Sequence, residues 1–124
     1  MNQPFHAVVR HQEGLATIDL YGEISAPAEQ ELQAAYAEAE ELSPTTIVLN
    51  FSAVSYINST GIALIVGLMA RARKSHRRLV VYGLSSYYVE IFQITRLADF
   101  MQIYPDEASA MAETEEKGDN YVKR

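Results

Sequence analysis

The run Thr45-Thr46-Ile47-Val48-Leu49-Asn50-Phe51-Ser52-Ala53-Val54-Ser55-Tyr56-Ile57-Asn58-Ser59-Thr60-Gly61-Ile62-Ala63-Leu64-Ile65-Val66 decides how this chain folds. Ile47, Val48 and Leu49 are consecutive and apolar, the pattern of a strand covered on both faces. From Ile62 onward the apolar residues suit a helix packed on a sheet. Just before them stand three residues with short polar side chains, Asn58, Ser59 and Thr60. Such side chains at a helix entrance accept hydrogen bonds from the unpaired N–H groups of the first turn. Gly61 lets another backbone, or a partner, approach that turn closely. The stretch predicts a buried strand, a loop and a buried helix.

The predicted place of Ser59 has a chemical consequence. At a helix N-terminus the free N–H groups and the macrodipole favour negative charge. A phosphate on the Ser59 hydroxyl is locally tolerated there, yet adds about −1.5 to −2 charge to the surrounding surface. That is the arrangement of a reversible switch. Plain capping of the helix by Asn58, Ser59 and Thr60 is the simpler reading of the same residues.

Working outward, Phe5, Ala7 and Val9 share one face of an alternating segment, and Ala16, Ile18 and Leu20 share one face of the next. Gln12-Glu13-Gly14 between them is a turn signal, which predicts a β-hairpin. Gly22-Glu23-Ile24-Ser25-Ala26-Pro27 ends the hairpin and opens a helix, with Ser25 as N-cap and Pro27 in its first turn. Ala28, Leu32, Ala35, Ala39 and Leu42 form its apolar stripe, and Glu29, Glu31, Glu38, Glu40 and Glu41 a solvated face. Ser43-Pro44 stops it. After the central helix, with Gly67 placed for close packing, Leu79 to Tyr82 is a second buried strand. Two such strands joined by a helix make a βαβ unit. Ser85 or Ser86 then opens a helix carrying Tyr88, Val89, Ile91 and Phe92. Phe100 to Tyr104 reads as a short strand, and Pro105 stands at the entrance of a last helix. The chain divides into a domain over residues 1–112 and a polar tail, expected to be frayed, over 113–124.

Composition narrows the function classes. A chain of 124 residues suits one domain with its own core. With no cysteine, disulfides and thiolate chemistry are excluded. His6 and His11 face opposite ways on extended chain and His76 is isolated, so no metal site is expected. No apolar run reaches membrane-spanning length and no signal peptide is evident, so the expected location is cytoplasmic. A net charge of −6 argues against direct nucleic-acid binding. The charge is uneven: no Asp or Glu lies between Leu42 and Val89, a window holding Arg71, Arg73, Lys74, Arg77 and Arg78. The surface near the central stretch is therefore expected to be neutral to positive. Helix-end chemistry and a rim that attracts an acidic partner or nucleotide phosphates both fit that cluster.

The segment Leu49 to Ala63, with Asn58-Ser59-Thr60-Gly61 at its centre, resembles the signature of the STAS domain family, and more narrowly that of the bacterial anti-sigma factor antagonists. The family pattern is an apolar strand, a short loop, then Asp-Ser-Ser/Thr-Gly-Leu/Ile opening a helix. The resemblance spans about residues 8–112. It implies a single α/β domain with a mixed β-sheet, an N-terminal hairpin, βαβ units and helices packed on the sheet. It further implies that Ser59 is phosphorylated by an anti-sigma factor serine kinase, that Gly22-Glu23-Ile24-Ser25 forms a turn near it, and that Glu23, Ser25, Asn58, Ser59, Thr60 and Gly61 face the partner. Asn58 stands where the family usually has Asp, and Arg96 where it has Gly before Leu97.

The function so implied is partner switching. The unmodified protein binds the kinase and frees a sigma factor, and phosphorylation breaks the contact. The alternative is an unswitched member of the fold, as a scaffold or as a small subunit of a lipid transporter, and Asn58 favours it. A serine enzyme would need Gly at position 57 as well as at 61 to form a nucleophile elbow, and Ile57 stands there. Binding of nucleic acid by Arg71 to Arg78 lacks an aromatic platform. No catalytic residue, metal or cofactor is expected, and a weak homodimer is left open.

Overall fold

The structure is a computed structural model that describes residues 3–112. The tail expected over 113–124 lies outside the described residues. β1 (His6–Gln12) and β2 (Leu15–Ile24) pair antiparallel around Glu13-Gly14. Gly14 supplies the left-handed φ of 74° in that turn. β3 (Thr46–Ile57), β4 (Arg78–Tyr82) and β5 (Gln102–Tyr104) follow in parallel, so the sheet runs β1-β2-β3-β4-β5. The crossovers are α1 (Glu29–Glu41), α2 (Ser59–Lys74) and α3 (Ser86–Ile94). This is the mixed α/β sheet with an N-terminal hairpin and βαβ units that the pattern predicts.

Successive strand residues point to opposite faces, and both faces are used. Ile18, Leu20, Ile47, Leu49 and Val81 face the helices and meet Leu32, Tyr36, Ile65, Leu68 and Phe92 in one core. Each such side chain stabilises the fold by about 1.5–3 kcal/mol through burial. Val48 and Val80 point the other way. They are covered by helical residues 107–112 (α4) through Ala110 and Met111. Asp106 caps α4 by accepting the Ser109 N–H at 2.9 Å.

That second face carries a polar network. Asp19, only 7% exposed, accepts from Arg10 Nε at 2.6 Å, Arg10 Nη2 at 3.0 Å and Asn50 Nδ2 at 2.7 Å. Arg10 also donates to Glu107 at 3.2 Å, which ties α4 to the sheet edge.

Several expectations need correction. Ser52 to Ile57 is not a loop but the second half of β3, and Gly22 to Ile24 is not a turn but the end of β2. The two extensions pair with each other, so neither reads as a strand alone. Ser25 and Ser85 occupy N-cap positions, yet neither side chain makes a cap hydrogen bond. Leu42 is exposed, and Tyr36 takes the buried place between α1 and α2. Gly67 packs against nothing: a Cβ there would meet open space. The glutamates of α1 are not uniformly solvated. Glu31 accepts the Ala7 N–H of edge strand β1 at 3.0 Å, with His6 Nδ1 also 3.0 Å away, and Glu40 pairs with Arg71.

The basic cluster is largely structural. Arg71 donates to Gln33 and lies over the Tyr36 ring, 4.6 Å from its centroid. Arg77 donates to the Pro44 carbonyl at 2.9 Å, and Arg78 to Gln102 at 2.7 Å. At 1.5 Å per residue Arg71, Arg73 and Lys74 lie about 20 Å from Ser59 along α2, and Arg77 and Arg78 follow beyond the end of that helix. Of the surface expected to be neutral to positive, the positive part lies at the far end of the helix, away from Ser59. Arg96, where the resembled family has Gly, adopts a left-handed backbone at φ 68° and donates to Asp99 at 2.8 Å.

Two stability experiments follow from these features. Arg96→Gly should raise the unfolding free energy by about 0.5–1 kcal/mol in urea titration, because glycine relieves the left-handed strain. The exposed Arg96–Asp99 pair contributes little against that gain. For Asp19, burial acts to raise the carboxyl pKa, but hydrogen bonds from Arg10 and Asn50 and the guanidinium charge outweigh it and hold the group below its ordinary value. A carboxyl depressed in this way stabilises the fold above its unfolded pKa, near 3.9, and that contribution disappears as pH falls through the folded value. Asp19→Asn should lower stability at pH 7 by on the order of 2 kcal/mol. It should also flatten the loss of stability below about pH 4, read by denaturant titration across pH.

Candidate functional site

β3 outruns β4. Pairing between them stops at Asn50 and Tyr82, while β3 continues along β2 as a two-stranded ribbon. The ribbon is irregular, with register shifts between Asp19 and Tyr21 and between Gly22 and Glu23. Gly22 makes this possible: its φ is 85°, and a Cβ there would strike the Pro4 carbonyl. The last pair of the ribbon is Ile24 with Ile57, so Ser25 and Asn58 are the next residues on either chain.

The turn into α2 is pinned from two sides. The Ile24 carbonyl accepts the Asn58 N–H at 3.3 Å. The same carbonyl lies against Gly61 so closely that a Cβ on residue 61 would collide with it. On the other side the Tyr88 hydroxyl of α3 accepts the Ile57 N–H at 2.9 Å and donates to the Ile57 carbonyl at 3.2 Å.

Asn58 is the N-cap. Its backbone is extended, its Oδ1 accepts the Gly61 N–H at 2.8 Å, and its carbonyl accepts the Ile62 N–H at 2.9 Å. Ser59, Thr60 and Gly61 are thus the first three helical residues. Capping by all three polar residues is corrected to capping by Asn58 alone. The Ser59 and Thr60 side chains are exposed, and neither hydroxyl bonds to the chain among the described residues. Gly61 is buried, while Asn58, Glu23 and Ser25 are half-buried. Glu23 pairs across the ribbon with Tyr56, which is 50% exposed. The fold thus brings all six residues singled out from the sequence to one end of the sheet.

The electrostatics of this end are simple. The first turn of α2 has no acidic side chain, and Arg71, Arg73 and Lys74 occupy the last turn. The helix dipole is therefore complemented at its far end and uncompensated at Ser59, where an added anion is worth about 0.3–1 kcal/mol. Two grooves of the described residues lie elsewhere, one by Arg77, Arg78 and Met101, the other by Tyr87, Ile103 and Pro105. Ser59 stands on open surface, accessible to another macromolecule rather than enclosing a small ligand. Among the described residues no cluster of His, Asp or Glu could hold a metal ion, and no helix is long and apolar enough to cross a membrane.

Sequence reasoning missed Tyr88 and the Ile24 carbonyl. Tyr88 reads as one more member of an apolar helix stripe. Only the shortness of β4, closed by Gly83, hints that the end of β3 needs another partner.

Residues 6–110 match the family described as the STAS domain. An anti-sigma-B factor antagonist of Listeria monocytogenes is 31% identical over 88 residues, covering 69% of this chain and 77% of that protein. In fold, an anti-sigma factor antagonist from Mycobacterium paratuberculosis superposes with a TM-score of 0.77 at 20% identity, covering 91% of this chain and 97% of the other. The Bacillus cell fate determinant SpoIIAA in its phosphorylated form superposes with a TM-score of 0.68 at 23% identity, covering 88% and 99%.

The cap makes a direct test of the local geometry. Asn58→Ala should destabilise the protein by about 1 kcal/mol, whereas Asn58→Asp, which keeps an acceptor for the Gly61 N–H, should be near neutral. Thermal and urea unfolding of the two variants measure the difference.

Proposed function

The chain belongs to the STAS domain family, and we propose that within it this protein is an anti-sigma factor antagonist controlled by phosphorylation of Ser59. The observation that carries the reading is an exposed serine hydroxyl, without a hydrogen bond among the described residues, on the first residue of a helix whose entrance is hydrogen-bonded on both sides. The unmodified end of the sheet, with Glu23, Ser25, Asn58, Ser59, Thr60 and Gly61, docks on an anti-sigma factor serine kinase, and that docking releases a sigma factor. The protein acts by occupancy and carries out no chemistry of its own. The kinase transfers the γ-phosphoryl group of ATP to Ser59 Oγ, ADP leaves, and the hydroxyl proton is lost.

The product dianion is tolerated by the helix dipole but not by a closed interface. Desolvating it without a partner cation costs several kcal/mol. Each 1.4 kcal/mol is tenfold in affinity, so about 3 kcal/mol is enough to open a micromolar complex. The existence of a phosphorylated form of the Bacillus protein with this fold supports the choice of a switch. The protein partner and a cytoplasmic location follow from the same reading.

Asn58, in place of the family's Asp, favours a second reading, an unswitched scaffold of the same fold. The amide oxygen caps α2 as a carboxylate would, so the departure bears on kinase recognition and not on the fold. Incubation with the anti-sigma kinase and ATP, followed by mass spectrometry, separates the two. The switch requires one phosphate on Ser59 and none on Ser59→Ala. By calorimetry Ser59→Ala should bind the kinase like the unmodified chain, and Ser59→Asp at least about tenfold more weakly. Equal affinity of the two variants, with no phosphate on the wild-type chain, leaves the scaffold.

A further inference from the structure

The end of β3 lacks a strand neighbour on the β4 side, because β4 stops at Tyr82 and its pairing with β3 stops at Asn50. Ile57 is nevertheless 3% exposed, so its N–H and C=O on that side need a partner. The Tyr88 hydroxyl supplies it, accepting from the nitrogen at 2.9 Å and donating to the oxygen at 3.2 Å. One side-chain oxygen thus does what a residue of an adjacent strand would do. The donor of this contact is itself held. Phe92, fully buried, roots α3 in the core, and the Tyr87 ring stands edge-on to Tyr88 with centroids 5.1 Å apart. Ile57 leads directly into the cap Asn58 and then Ser59.

We infer that Tyr88 is a positioning residue for Ser59. By clamping the last peptide of β3 it sets the direction in which Ser59 Oγ faces an incoming phosphoryl donor. The inference rests on the reading of Ser59 as the phosphorylated residue. Phosphoryl transfer needs the attacking oxygen roughly in line with the leaving group, and a displacement of about 1 Å transmitted from a distance can slow a reaction by up to ~10²-fold. Removing the clamp is therefore felt in turnover more than in docking.

The test is Tyr88→Phe in the full chain, which keeps the ring and its packing, with Tyr87→Phe as the control that removes a hydroxyl from the neighbouring exposed ring. Amide hydrogen exchange by NMR should accelerate about tenfold or more at Ile57 while Val48 and Val81 keep their protection. With the kinase that labels the wild-type chain, kcat for Ser59 should fall about tenfold at a KM within about twofold, and Tyr87→Phe should change neither quantity. Unchanged exchange at Ile57, or equal acceleration throughout the sheet, overturns the clamp. Local acceleration with unchanged kcat overturns the positioning role. A wild-type chain that accepts no phosphate overturns the switch itself and the kinetic half of this inference, while the exchange at Ile57 still decides the clamp.

Discussion

The constraint that shapes this end of the molecule is the close approach between the first turn of α2 and the carbonyl of Ile24. Only a residue without a side chain lets the helix descend that far onto the end of β2, and Gly61 is that residue. From this contact the rest follows. The helix entrance sits on the ribbon of β2 and β3, Asn58 reaches its cap position, and Ser59 is turned outward while Gly61 is turned in. The same backbone proximity brings Glu23 and Ser25 beside the helix mouth.

How much of this was legible depended on whether a residue's role was set by its neighbours in sequence. Ile47-Val48-Leu49 announced a strand with two covered faces, and all three are fully buried. Gly14 announced the hairpin. Asn58 to Gly61 announced a helix entrance, and the tolerance of that entrance for a phosphate on Ser59 followed from the helix dipole alone. The second half of β3 was illegible because its side chains are mostly solvent-facing and its only ladder is with β2, through shifted register. Its strand character comes from pairing, and pairing is not written in the local pattern. Arg96 was visible as an oddity, but its meaning required the backbone angle. Gly67, read as a packing device, has no neighbour, which shows how weak a lone glycine is as a signal.

Charge was the least reliable guide. A window without acids looked like a neutral to positive surface beside the central stretch. In space α2 carries its cations to the opposite end, where Arg71, Arg77 and Arg78 join α1, the loop before β3 and β5. Linear proximity along a helix of 16 residues is not spatial proximity. Around Ser59 the end of the sheet is left without these cations, Glu23 being the one charged side chain among the six residues gathered there. Away from guanidinium groups an added dianion stays unpaired, whereas beside such a cluster it would be paired and muted.

The carboxylate of Glu31 bears on how the molecule behaves in a crowded solution. The outer margin of β1 is a natural template for another chain to extend the sheet, and such templates drive stacking and fibre growth. Glu31 already occupies the Ala7 amide on that margin and brings charge to it. A foreign strand would have to evict an anion before its first ladder bond could form. The protein thus discourages recruitment along its flank while leaving its apex bare.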